Sequence, residues 1–230
     1  MVGLFDGDPT ITLIKTKNKQ GGNEMPNWCS QNLTVQGDNA ELNRFVTDTT
    51  KMGDDGDFFV SFNHLVPCPT ELTDTMAGSY GDEEKQKELE KQQTENVRKY
   101  GYKDWYDWAN DVWGTKWGAC DIYQNIETPS DNILYYSFQS AWSPASGLLN
   151  GISMLYPTLT FGMWFTEEGN FFAGWQMFKN GEVTEQEYEI NAPSTEDYPD
   201  EQDWQDEYEK WWETFTDEVA KGLDEAMQSI

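Results

Sequence analysis

Residues able to do acid–base, nucleophilic or metal chemistry are few in this chain, and their spacing suits none of those roles. There is one histidine, His64, beside a proline-rich turn. No Ser or Cys has a recognisable base partner in sequence, and no nucleophile elbow, Walker A loop or HExxH zinc pair occurs. Glu167-Glu168 pairs two carboxylates, but in a stretch that reads as a hairpin turn, where such residues commonly serve the turn itself. Asp54-Asp55-Gly56-Asp57 and Asp6-Gly7-Asp8 are hard-ligand clusters without the distal Glu of a calcium loop. Cys29, Cys68 and Cys120 lie far apart with no CxxC pairing and read as buried thiols of a reducing cytosol. The expectation is a protein that is not an enzyme, with no catalytic residue, no cofactor and no metal.

The chemistry that does stand out is charge. Against 42 acidic residues there are 15 basic ones, a net charge of −27. Such a surface repels nucleic acid and anionic membrane and attracts basic surfaces. Between Asp200 and Glu225 stand 11 carboxylates, including Asp203, Asp206, Glu207, Glu209, Glu213, Asp217 and Glu218. On a helix rising about 1.5 Å per residue, that is one charge per roughly 3.5 Å, close to the roughly 3.4 Å of one nucleic-acid strand. Two readings stay open: a rigid carboxylate row that occupies a nucleic-acid channel, or the wet face of an amphipathic helix whose charge gives solubility.

The elements that must carry these residues follow from periodicity. Trp28 to Gln36 reads as a strand, and Gly37-Asp38-Asn39 turns into a helix with Leu42, Phe45 and Val46 on its apolar stripe. Phe58 to Phe62 is a short strand. A charged helix over 82–100 and an aromatic helix over 102–113 follow; the second needs burial on more than one side, or an interface. Ile122–Ile126 and Ile133–Phe138 pair as strands, Ser143 caps a helix ending near Tyr156, and Leu159–Phe165 with Phe171–Phe178 close a hairpin. Residues 182–200 read as a flexible acidic linker. Beyond it Trp204, Tyr208, Trp211, Phe215, Val219, Leu223 and Met227 recur at gaps of three and four, one stripe of a long helix. Helices interspersed with hairpins predict an α+β fold: an antiparallel or mixed sheet with helices on one face. The expected domains are an N-terminal extension over 1–24, a sheet domain over 25–183 with a helical insertion at about 82–117, and an acidic linker and amphipathic helix over 184–230. No apolar run reaches the roughly 20 residues of a membrane helix and no secretory signal pattern opens the chain, so the protein reads as cytoplasmic.

Several segments together resemble one family. They are Met25-Pro26-Asn27-Trp28-Cys29-Ser30-Gln31-Asn32-Leu33-Thr34-Val35, Phe62-Asn63-His64-Leu65-Val66-Pro67-Cys68-Pro69, Trp113-Gly114-Thr115-Lys116-Trp117 and Phe138-Gln139-Ser140-Ala141-Trp142-Ser143-Pro144. In this order they are similar to the Api92-like proteins of phages and plasmids, with their YubB-type ferredoxin-like domain. The resemblance implies a ferredoxin-like sandwich over roughly residues 25–180 and a mobile-element origin in a bacterial host. It implies no activity. The motif residues Trp28, Trp117 and Trp142 sit beside strand ends with Asn27, Asn32, Lys116 and Ser143. They read as a groove for a partner or ligand, as a platform stacking single-stranded bases (which the net charge disfavours), or as core rings with polar residues closing turns.

The functional expectation is an accessory protein that binds and inhibits a basic, nucleic-acid-handling host protein through charge mimicry. A defence nuclease, restriction complex or CRISPR effector fits that description. The alternatives are an assembly module docking through aromatic surfaces, and a small-molecule or nucleotide sink near Trp117 and Trp142.

Overall fold

The computed structural model describes residues 27–52, 58–124, 132–198 and 200–229. In chain order the elements are β1 (Trp28–Gln36), α1 (Asn39–Thr49), β2 (Thr50–Met52), β3 (Phe58–Val60), α2 (Phe62–Leu65), α3 (Thr70–Thr73), α4 (Glu83–Tyr100) and α5 (Trp105–Val112). They continue with β4 (Cys120–Gln124), β5 (Ile133–Ala141), α6 (Ser146–Leu155), β6 (Thr160–Glu167), β7 (Phe172–Lys179), β8 (Glu182–Tyr188) and α7 (Glu201–Gln228). The path β1–α1–β4–β5–α6–β6 is a βαββαβ unit whose four strands lie side by side in the order β4-β5-β1-β6. That order, antiparallel at every pairing, is the ferredoxin-like arrangement. β7 and β8 extend the sheet to six strands, and β2–β3 form a separate hairpin.

Alternation along β1 explains the inner layer. Cys29, Gln31, Leu33 and Val35 face inward, with Leu134, Tyr136 and Phe138 of β5 and Phe161, Met163 and Phe165 of β6 on the same face. α1 and α6 cover that face with Leu42, Phe45, Leu148, Leu149 and Ile152. Phe45 meets Tyr136, Tyr156 and Phe161 edge-on, with ring centroids 5.2–6.1 Å apart. Each such contact adds to the area that these rings bury. The aromatic helix forms, but it is not buried all round as expected, since Tyr106 is exposed. Trp108 and Ala109 of α5 are buried, and Trp113 just after it donates its indole N–H to the Val66 carbonyl at 3.0 Å.

The outer face divides by residue type. On β1 and β5 the outward positions are Ser30, Asn32, Thr34, Tyr135, Ser137 and Gln139, largely polar. On β6 and β7 the central ones are Gly162, Trp164, Ala173, Trp175 and Met177, largely apolar, with Thr160, Thr166 and Lys179 toward the strand ends. Among the described residues only the apolar half is covered: α7 lies across β6 and β7, burying Phe215, Val219, Leu223 and Met227. Two glycines set the closeness of that packing. A Cβ on Gly162 would collide with Met227 and Leu223, and one on Gly222 with the Tyr188 hydroxyl and the Trp175 indole.

Two expectations are corrected here. Composition predicts a linker over 182–200, yet Glu182–Tyr188 is β8, paired with β7 from Lys179↔Glu182 to Ala173↔Tyr188. The sheet therefore runs past the expected boundary at 183. An exposed edge strand needs little apolar content, because its partner supplies the ladder hydrogen bonds, and the charges on it guard the edge. Ser143 was also expected to cap α6, but Ala145 holds that position. The Ser143 hydroxyl instead donates to the Gly114 carbonyl at 2.6 Å. The expected N-terminal extension 1–24 and the clusters Asp6-Gly7-Asp8 and Asp54-Asp55-Gly56-Asp57 lie outside the described residues.

Candidate functional site

α7 forms for local reasons. Asp200 caps it, its carboxylate accepting from Gln202 N at 2.8 Å, and Glu201 and Asp203 favour its positive N-terminal end. Its apolar stripe supplies the rest. Trp211 stacks on Phe215 with centroids 5.1 Å apart, Tyr188 meets Phe215 edge-on, and the Trp204 indole donates to the Pro193 carbonyl at 3.0 Å. Burial, then the nearby Glu168 carboxylate, pushes the Tyr208 phenol upward from its ordinary range.

The opposite side of α7 carries the charge. At about 100° per residue, Asp206, Glu213, Asp217 and Asp224 fall in one column, and Asp203, Glu207, Glu218 and Glu225 in a second. Glu209 flanks the first. Asp203, Asp206, Glu209, Glu213, Asp217 and Glu218 are all exposed and Glu207 is half-buried, so the whole predicted carboxylate set shares one solvent-facing arc. Lys210 and Lys221 stand in the middle of that arc, near Glu207 at 3.9 Å and Glu225 at 3.7 Å.

This charge works against the helix. Asp203/Glu207, Glu209/Glu213 and Glu213/Asp217 are like-charge pairs at i,i+4, each costing roughly 0.2–0.5 kcal/mol. Asp224 and Glu225 stand near the C-terminal end, which disfavours anions, and no basic residue occupies the last turn. The docked stripe has to offset all of this.

Most of the motif residues come together at one corner of the sheet, in a buried polar network; Asn32, expected beside a strand end, lies mid-strand on the outer face instead. Gln31, fully buried, donates to Ser140 Oγ at 2.5 Å and accepts from Ala145 N at 2.8 Å. Ser140 Oγ donates to the Ser143 carbonyl at 2.5 Å, and Thr115 Oγ1 to the Ala141 carbonyl at 2.8 Å. The Trp142 N–H donates to the Asn27 carbonyl at 2.9 Å. These polar residues tie the start of β1, the 113–117 turn and the end of β5 together. At the surface of this corner Trp28 and Trp142 are part-exposed, and Lys116 lies over the rings of Trp117 and Tyr106 at 4.5 and 5.7 Å. Trp142 has φ +72°, an unusual backbone for a bulky residue.

The remaining candidates are dispersed. Glu167 is buried at the β6–β7 turn, its carboxylate accepting from Gly169 N at 2.9 Å and Asn170 N at 2.6 Å, so it closes the hairpin. His64 is exposed on the one-turn α2. Cys29 is buried; desolvation and then the Glu167 charge push its thiol well above the ordinary range. Among the described residues no group of three or more His, Cys, Asp and Glu is placed to hold a metal ion, and no helix is long and apolar enough to cross a membrane.

The strand order finds its counterpart in sequence: residues 120–214, from β4 into α7, match the family described as the ferredoxin-like domain in Api92-like protein. Over those residues the chain is similar to the ferredoxin-like domain of Api92-like proteins. The Api92-like match leaves β1 and α1 upstream, and it includes β8 and the first half of α7. An Escherichia coli K12 protein described as "Uncharacterized protein YubB" is 30% identical over 96 residues, covering 40% of this chain. The aligned part spans 65% of that relative's length. The crystal structure of a protein api92 from Yersinia pseudotuberculosis superposes with a TM-score of 0.44 at 10% identity, over 74% of this chain and all of the other. At that score the likeness adds nothing to the fold, which rests on strand order.

One feature of the site was missed from the sequence, namely where α7 docks. The near-continuous apolar runs of β6 and β7 signal burial on both faces. The polar outward positions of β1 and β5 signal the half left open.

Proposed function

We propose that this protein acts without catalysis, by binding a basic macromolecule through the carboxylate arc of α7. The observation that carries the reading is the cost of that arc to its own helix. Like charges at i,i+4 and anions near the C-terminal end are not what helix stability selects, and fewer charges would keep the protein soluble. A docked helix holds the row rigid, so little ordering remains to oppose association. The chemistry that fits is a surface built for phosphates: a nucleic-acid-handling host protein whose channel the carboxylates would occupy, with inhibition as the consequence. A phage or plasmid protein directed at a nuclease, restriction complex or CRISPR effector fits this description.

The test is capture of bacterial lysate proteins on the immobilised protein, eluted with duplex DNA. The reading expects DNA-binding proteins that DNA displaces and that raised salt releases, because charge-driven contacts weaken steeply with ionic strength. Retention that neither DNA nor salt affects would favour instead an aromatic docking surface at the Trp28/Trp142 corner.

A further inference from the structure

α7 covers only half of the outer sheet face, and along its uncovered flank runs a groove of about 370 Å³. Its floor is Asn32 and Thr34 of β1 with Tyr135 and Ser137 of β5. Trp164, Ala220 and Asp224 form the wall. The floor is built of hydroxyls and an amide where a covered sheet carries apolar residues, so it suits a hydrogen-bonding ligand. Tyr135 is 56% exposed, an aromatic face left open to a partner.

Asp224 fixes the sign of the charge the groove accepts. It belongs to the first carboxylate column, so Asp206, Glu213 and Asp217 stand five, three and two turns before it along the same flank. A segment lying in the groove therefore meets the Asp224 carboxylate at the end of that column, with a phenol ring beneath it and an indole in the wall.

We propose that the groove receives an arginine-bearing segment of the basic partner, one guanidinium against Asp224 and over the Tyr135 ring. This rests on the basic-partner reading and adds to it where on the surface the contact is made. Arginine fits better than lysine because its planar group both stacks on an aromatic face and donates in a fork to a carboxylate. The polar floor then satisfies the donors that the carboxylate leaves free.

A fluorescein-labelled nona-arginine peptide serves as the probe, with nona-lysine beside it, titrated by anisotropy at low salt. Adjacent residues provide the control: Asp224→Asn and Glu225→Gln each remove one carboxylate from the same turn, but only Asp224 lines the groove. Asp224→Asn is expected to weaken nona-arginine binding about tenfold and Glu225→Gln less than about twofold. Tyr135→Ala should weaken it about threefold and abolish the preference for arginine over lysine. Equal losses in the Asp224 and Glu225 variants, with none in Tyr135→Ala, would overturn the groove and leave the acidic arc standing. Binding that survives neutralisation of Asp203, Asp206, Glu207, Glu209, Glu213, Asp217 and Glu218 but fails in Asp224→Asn and Tyr135→Ala keeps the groove and removes the arc. No binding by the unaltered protein overturns both. All three positions are exposed, and thermal unfolding of each variant checks that the fold is intact.

Discussion

Leu223→Ala tests whether α7 belongs to the same folding unit as the sheet. Leu223 is 1% exposed, packed with Trp175 and Met227 over Gly162. A glycine opposite the deleted methyls offers no side chain to collapse into the void, so the cost belongs in the middle to upper part of the usual range, about 3–4 kcal/mol. Burial of Phe215, Val219, Leu223 and Met227 together contributes roughly 6–12 kcal/mol as an upper bound. That is comparable to the total stability of an ordinary domain, about 5–15 kcal/mol. Leu223→Ala should therefore lower the midpoint for the whole protein, by roughly 6–16 °C for a chain of this length. Unfolding is followed by far-UV circular dichroism and by tryptophan fluorescence, whose signal includes Trp164, Trp175, Trp204, Trp211 and Trp212 around α7. Both probes should shift together as one transition. An unchanged main transition, with an early fluorescence change alone, would mean that α7 detaches separately, and the argument from packing would be wrong.

Other outcomes follow from the corner network, the buried thiol and the net charge. Gln31→Leu removes the acceptor for Ala145 N and the donor to Ser140 and should cost about 2–4 kcal/mol by urea unfolding; no loss would show that the network is not holding the corner. Cys29 should resist iodoacetamide at pH 8 until denaturant is added, as peptide mapping will show, since burial keeps its thiol protonated; rapid labelling in the folded state contradicts this. Its raised folded value also means that its contribution to stability is fully present below the ordinary thiol range and is lost as pH rises from there toward the raised folded value, so alkaline titration should destabilise wild type more than Cys29→Ala. No binding to single- or double-stranded DNA or RNA is expected at physiological salt; micromolar affinity for an oligonucleotide would reverse the sign of the proposed partner.

Much of the fold was legible because inward and outward residues alternate or recur cleanly. β1 lies at the expected Trp28–Gln36, since Cys29, Gln31, Leu33 and Val35 keep strict period two over nine residues. The α7 stripe was equally plain, but the βαββαβ order came only from the family resemblance: counting elements includes the strand at Phe58, which pairs with β2 in a separate hairpin. β8 was not legible: Glu-Val-Thr-Glu-Gln-Glu-Tyr offers no apolar alternation, and what holds it is a ladder with β7 that only the folded sheet provides. The helix expected from Ser143 starts later because the hydroxyl that would cap it reaches Gly114 across the corner, a partner 29 residues away. The carboxylate arc could be read from spacing alone. The groove beside it could not, since it needs Asp224 from α7 and Tyr135 from β5 to line one cavity over a sheet face.

The central claim is that the carboxylate arc of α7 makes the functional contact. Its most direct test is the affinity of a DNA-displaced capture partner for the protein carrying Asp203, Asp206, Glu207, Glu209, Glu213, Asp217 and Glu218 replaced by Asn or Gln. The apolar stripe is untouched in that protein, so its unfolding midpoint should change little, relief of like-charge repulsion offsetting the loss of Asp203 at the N-terminal end and of the Glu207–Lys210 pair. Close charge pairs at an interface couple by about 1.5 kcal/mol or more, so even two lost pairs should weaken binding at least a hundredfold. A neutralised protein that binds its partner as tightly as the original would contradict the account.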